Sequence, residues 1–374
     1  MPAYITSVGK FLPGDPIGVD EVEEYIGAVG SSEVRDLVLR NSGILKRHYA
    51  IDREQRTTFS NTQLACGAIR AAVDASDIDL TDVEMLAVAT SAGDYHSPAL
   101  ANMVQGDLLD HPCEVVSNNG LCACSMMSLK AAWLGVMSGE HSNAVACGSE
   151  LVSRQFKSSR YANGLGLDHE GKLPFDVAFL RYMLSDGAGA AVVRDRPAAA
   201  GVSYRIEWIT LMSYAHTTDP CMYLGSNGHN GMTYQDYPTV AEAAAAGAMS
   251  LRQDMRKLPR LIQTCARETR RLVDAGKFDP ERIKRVAFHY SSEALRDTFR
   301  RAFDREGLDM MEDRWFVNLN EVGNIGCAAV YVMLNDLHES GELEPGDQVL
   351  CFVPESGRFS AAHMLLTVVS PTGE

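Results

Sequence analysis

The sequence repeats itself at an offset of about 200 residues, so any fold for it has to hold two copies of one strand-and-helix unit. Val73-Asp74-Ala75 recurs as Val273-Asp274-Ala275, and Ile78-Asp79 recurs as Phe278-Asp279. Ahead of each stands an amphipathic helical pattern, marked by Leu64, Ile69 and Val73 in one copy and by Cys265, Thr269 and Leu272 in the other. An apolar run of strand length follows, Met85 to Ala89 or Val286 to Phe288. A second strand, Glu114 to Ser117 or Trp315 to Asn318, leads into a Gly-containing turn that carries Cys122 in the first copy and Asn324 in the second. The next helix runs 16 residues from Cys122 to Ser138-Gly139, and 16 from Asn324 to Ser340-Gly341, each Gly suited to a left-handed cap. A third strand, Ala144 to Cys147 or Val349 to Val353, then ends near Glu150 or Glu355.

Strands alternating with helices predict an α/β fold of parallel sheets covered by helices on both sides. Two halves related by a pseudo-twofold axis would bring the Cys122 and Asn324 turns face to face. The repeat divides the chain into a first half, 1–198, an interrupting segment, 199–249, and a second half, 250–374. Tyr204, Trp208, Met212, Tyr214, Met222 and Tyr223 in the middle segment are expected to shape a tunnel and a dimer contact. Two unrelated α/β domains are the alternative, and the constant spacing across four elements argues against it.

A formal net charge of -15 excludes a nonspecific nucleic-acid binder. The apolar stretches are too interrupted to span a membrane and no basic-then-apolar leader opens the chain, so a cytoplasmic protein is expected. Nine cysteines, an odd number scattered singly apart from Cys122 and Cys124, point to free thiols, and C-x-C without a second ligand pair gives no metal site. Arg252, Arg256, Lys257, Arg260, Arg267, Arg270 and Arg271 form a basic stretch that could steer an acidic partner or simply face water.

Cys122 stands between a strand and a helix, where unpaired N–H groups and the macrodipole favour a thiolate and hence an acyl acceptor. An isolated Cys is more often a small buried hydrophobe, and the setting is what singles this one out. His289 closes a strand at the end where open α/β sheets bind ligands. Asn324, whose bland role is a helix N-cap, should face Cys122 by symmetry. Together they give a nucleophile and two neutral donors suited to a thioester oxyanion.

Asn41-Ser42-Gly43-Ile44, the Cys122 turn, Gly148-Ser149-Glu150, Ser185-Asp186-Gly187-Ala188-Gly189-Ala190, His289 and Gly323-Asn324-Ile325-Gly326 resemble the ketoacyl-acyl carrier protein synthase III branch of the thiolase superfamily over nearly the whole chain. The resemblance implies a thiolase-like fold, two duplicated halves in five αβαβα layers. It also implies acylation of Cys122, with His289 and Asn324 holding the thioester oxygen of a second substrate. The implied partners are an acyl carrier protein, acyl thioesters and a second copy of the chain. No cofactor is implied beyond the phosphopantetheine of the carrier protein or of coenzyme A, which carries the substrate. Arg40 and Arg154 fall on positions near the family's phosphopantetheine entrance.

Three departures stand out. His289-Tyr290-Ser291-Ser292 replaces the family's H-Q-A-N, Glu355-Ser356-Gly357-Arg358-Phe359 replaces a Gly-rich turn, and Ser97 precedes Pro98 where some relatives carry a Glu, with Asp94 and His96 close by. These features resemble the dialkylresorcinol and aryl polyene branch. A condensing enzyme of specialised lipid or polyketide synthesis is therefore expected. An acyltransferase to an alcohol or amine is an alternative, and so is a non-catalytic subunit pairing with an active homologue, against which the retention of all three residues speaks.

Overall fold

The computed structural model describes residues 1–373 with the exception of 31, 169, 229, 230 and 311. Five strands come from each copy of the repeat. They are β1 (Tyr4–Phe11), β2 (Met85–Thr90), β3 (Glu114–Asn119), β4 (Asn143–Glu150) and β5 (Gly187–Arg194), then β6 (Ser203–Ser213), β7 (Ile283–Phe288), β8 (Trp315–Phe316), β9 (Gln348–Glu355) and β10 (Ser360–Val369). From the centre outward the first half reads β1-β5-β4-β2-β3 and the second β6-β10-β9-β7-β8, the same rank order. Where Tyr4 pairs with Arg205 and Ile5 with Tyr204, the halves join into one ten-stranded sheet.

Two expectations are corrected here. Each half is mixed: β4, β2 and β3 run parallel, as do β9, β7 and β8, whereas β5 and β10 are antiparallel to both neighbours. For β9 and β10 the reason is local, since a turn as short as 356–359 permits only a hairpin. The segment 199–249 is also not all insertion. Its Ser203–Ser213 stretch is β6, paired with β10 from Ser203↔Val369 to Ser213↔Ser360, and is the counterpart of β1. Its aromatic and Met content disguised an ordinary core strand.

Helices α1 (Asn61–Asp74) and α2 (Leu100–Leu108) cover the outer side of the first half, and α4 (Leu258–Asp274) and α5 (Arg296–Arg305) cover that of the second. Between them lie α3 (Cys124–Ser138) and α6 (Ala329–Glu339), giving the five layers. The middle layer buries Met126, Leu129, Tyr331 and Leu334 against Ile5 and Ala191 of one half and Cys351 and Met364 of the other. Each such side chain contributes about 1.5–3 kcal/mol. Both central helices end as their sequences predict, on Gly139 and Gly341 at φ 81° and 66°.

The basic stretch is largely neutralised, with Arg252 on Asp176, Arg256 on Asp254, Arg267 on Glu306, Arg270 on Asp274 and Arg271 on Glu268. Among the described residues no helix is long and apolar enough to cross a membrane.

Candidate active site

Cys122 sits two residues ahead of α3, in the turn that leaves β3. Glu355, the last residue of β9, reaches into this turn from the other half, and its Oε2 accepts the N–H of Leu121 at 3.1 Å and of Ala123 at 3.0 Å. A carboxylate therefore occupies the helix N-terminus that was expected to favour a thiolate. Burial, then Glu355, then Glu150 push the Cys122 thiol well above its ordinary range, so the free protein holds it protonated. Burial likewise raises the Glu355 carboxyl, against the two N–H bonds.

Glu150 does the mirror-image work. It ends β4 and accepts the N–H of Cys327 at 3.3 Å in the turn before α6, together with the Ser91 hydroxyl at 2.5 Å. Its burial pushes the carboxyl up to about 7. Gly326, in the same turn, has φ +53°, and a Cβ there would meet the Glu150 side chain at 3.0 Å. The turn needs glycine on both counts.

Asn324 is buried, and its side-chain oxygen accepts the Gly326 N–H at 3.0 Å. That bond fixes the amide so that Nδ2 is the end left to donate. Its backbone is held by Ser185, whose N–H donates to the Asn324 carbonyl at 2.9 Å. The adjacent Asp186 takes the N–H groups of Ala50, Val152 and Ser153, so this motif is a structural knot behind the site.

His289 follows β7, its N–H donating to the Phe352 carbonyl at 3.0 Å. Phe288 stacks on Phe352 at 4.8 Å and meets Trp315 edge-on at 4.7 Å, a packed aromatic base that holds the strand end still. Burial lowers the imidazole to about 4, so it is neutral at physiological pH.

Cys122, Asn324 and Glu150 line a cavity of about 250 Å³, walled further by Leu121, Met222, Tyr223 and Leu224. Cys122 and His289 line a second, smaller one with Ser291 and Ser356, residues the two cavities share. Cys122 thus shares a cavity with each of Asn324 and His289.

Arg40, Arg154 and Ser97 are not brought there. Arg40 is exposed and bonds the Asp36 carbonyl in a separate surface depression. Arg154 pairs with Asp94 at 2.9 Å, and Ser97 is exposed on the loop before α2. Asp94 is no free base either: against the cost of burial, the bonds from Thr62 and Asn61 hold it below the usual carboxylate range.

The family model described as 3-oxoacyl-[acyl-carrier-protein] synthase III C terminal matches residues 273–366, the stretch that contains His289, Asn324 and Glu355. Over 368 residues the chain is 24% identical to the beta-ketoacyl-[acyl-carrier-protein] synthase III of Clostridium beijerinckii, covering 96% of this chain and 98% of that one. The chain is synthase III-like over nearly its whole length. The fold of this synthase III-like chain matches that of AbyA1, a tetronic acid condensing enzyme, with a TM-score of 0.78 at 18% identity and coverage of 98% and 99%. It also matches the 3-oxoacyl-[acyl-carrier-protein] synthase III of Aquifex aeolicus, with a TM-score of 0.72 at 16% identity and coverage of 98% and 99%.

Sequence reasoning named Glu150 and Glu355 as strand ends without giving either a task. The available signal was their symmetry: a carboxylate closing the same strand of each copy, one register from the turns that carry Cys122 and Asn324.

Proposed function

We propose that the protein is an acyl-thioester condensing enzyme. The observation that carries this is the shared position of Cys122, in one cavity with Asn324 and in the other with His289. In the first step the Cys122 sulfur attacks a thioester carbonyl carbon; a carbon–sulfur bond forms, the carrier thiol leaves, and the Cys122 proton goes with it. In the second, the other thioester loses carbon dioxide or an α-proton to give an enolate, whose oxygen is held by the neutral imidazole of His289 and the Nδ2 of Asn324. Its α-carbon attacks the acyl carbon, the carbon–carbon bond forms as the bond to the Cys122 sulfur breaks, and the released thiolate takes up a proton. Two uncharged donors suit this task, because neither titrates at working pH.

The carrier is an acyl carrier protein or coenzyme A, and the setting is cytoplasmic. The fold match to a tetronic acid condensing enzyme, with the departures at Ser97, Tyr290 and Glu355, favours specialised lipid or polyketide synthesis over housekeeping initiation. A second copy of the chain would cover the outer edge of β3 and the exposed Met127 and Leu134 of α3. The deciding experiment is acyl loading followed as a mass shift on the intact protein. Wild type gains one acyl group, Cys122→Ala gains none, and loading that survived in the variant would place the nucleophile elsewhere.

A further inference from the structure

Gln253 lies on a two-residue ribbon, Arg252–Gln253, that pairs with Met222–Tyr223 so that Gln253 stands opposite Met222. It lines both cavities that meet at Cys122, next to Ser291 and Ser356. The residue is only 2% exposed, and its Oε1 has no hydrogen-bond partner. Among the described residues it is the one buried, unpartnered side-chain polar atom that belongs to a residue lining either cavity. Met222, Leu224 and Leu251 in the same wall are apolar, and the hydroxyls of Ser291 and Ser356 do not bond its Oε1.

Buried polar groups in folded proteins are almost always paired, and an exception at a ligand cavity marks a bond that the ligand completes. We infer that Gln253 binds a hydroxyl group on the acyl chain loaded at Cys122, so that the enzyme selects hydroxylated acyl thioesters over plain hydrocarbon ones. This rests on the condensing reading above and adds the class of substrate to it. An amide can present either end to the cavity, and a hydroxyl, which both donates and accepts, satisfies either. The same donor chemistry exists in the amide N–H groups of a pantetheine arm, so a test has to separate the two sources.

Matched coenzyme A thioesters, octanoyl, 3-hydroxyoctanoyl and 5-hydroxyoctanoyl, supply that separation, because all three share the arm. Acylation of Cys122 is followed by intact-protein mass spectrometry for wild type, Gln253→Met and Gln253→Leu. Wild type is expected to load one of the hydroxylated chains about tenfold faster than octanoyl, and both variants to lose that preference while loading octanoyl at least as fast. Melting temperatures of the free variants should equal or exceed wild type, since an unpaired buried oxygen has been removed; a merely structural role would lower them. Equal loading of all three chains by wild type overturns the inference. Equal slowing of all three in the variants also overturns it, by placing the donor on the arm. Failure of every thioester to acylate Cys122 would instead bring down the condensing reading, and this inference with it.

Discussion

Glu355 of the second half accepts the N–H of Ala123 of the first at 3.0 Å, at the mouth of the helix that follows Cys122. A negative charge there opposes a second one on the sulfur. Replacing it with a neutral amide should therefore lower the Cys122 pKa, and Glu355→Gln should be alkylated by iodoacetamide about tenfold faster than wild type near pH 7.5. The pH profile of alkylation at Cys122, read by peptide mass spectrometry, checks this. Superimposable profiles would mean that the carboxylate charge does not reach the sulfur.

His289 and Asn324 act on the second step alone in the proposed mechanism. His289→Ala and Asn324→Ala should still load acyl groups on Cys122 while losing about 10²- to 10³-fold in formation of the carbon–carbon bond. Single-turnover assays that score loading by mass and product by chromatography separate the steps. Because burial holds His289 near 4, its protonation should not limit the second step anywhere above about pH 5.

Gly326 combines a positive φ with a close neighbour, whereas Gly341 has φ +66° and open space around the missing Cβ. Gly341→Ala should cost about 1 kcal/mol from backbone strain alone. Gly326→Ala should cost about 1–3 kcal/mol and displace Glu150 as well. Urea unfolding measures both, and equal costs would show that the contact with Glu150 relaxes freely.

Glu150 carries a folded-state pKa of about 7 against an ordinary 4.5. Between those values the folded chain binds more protons than the unfolded one. The stability this group contributes is complete below 4.5 and is lost as the pH rises through about 7. The urea midpoint of wild type should fall across that window relative to Glu150→Gln, then run parallel to it at higher pH. Parallel curves throughout would show that the carboxyl titrates normally.

The repeat revealed three of the five strands of each half, with their order along the chain and their spacing, because each copy restates the other, and it set Cys122 opposite Asn324 without reference to any contact. What it did not reveal has physical causes. β6 was missed because a strand at the centre of a sheet can be as aromatic as a pocket wall. The protonation of Cys122 was mispredicted because a helix N-terminus invites a thiolate only when no acid from elsewhere in the chain has filled it, and Glu355 arrives from more than 230 positions away. Arg154, at a position near the family's phosphopantetheine entrance, pairs with Asp94 from a separate loop. Pairings between distant side chains decide such matters, and local sequence does not display them.

The crossed carboxylates carry a last consequence. Since Glu355 secures the turn of the first half and Glu150 that of the second, neither copy owns the latch on its own reactive loop. The two loops can therefore differ in chemistry, thiol in one and carboxamide in the other, while each depends for its position on the other copy's strand end.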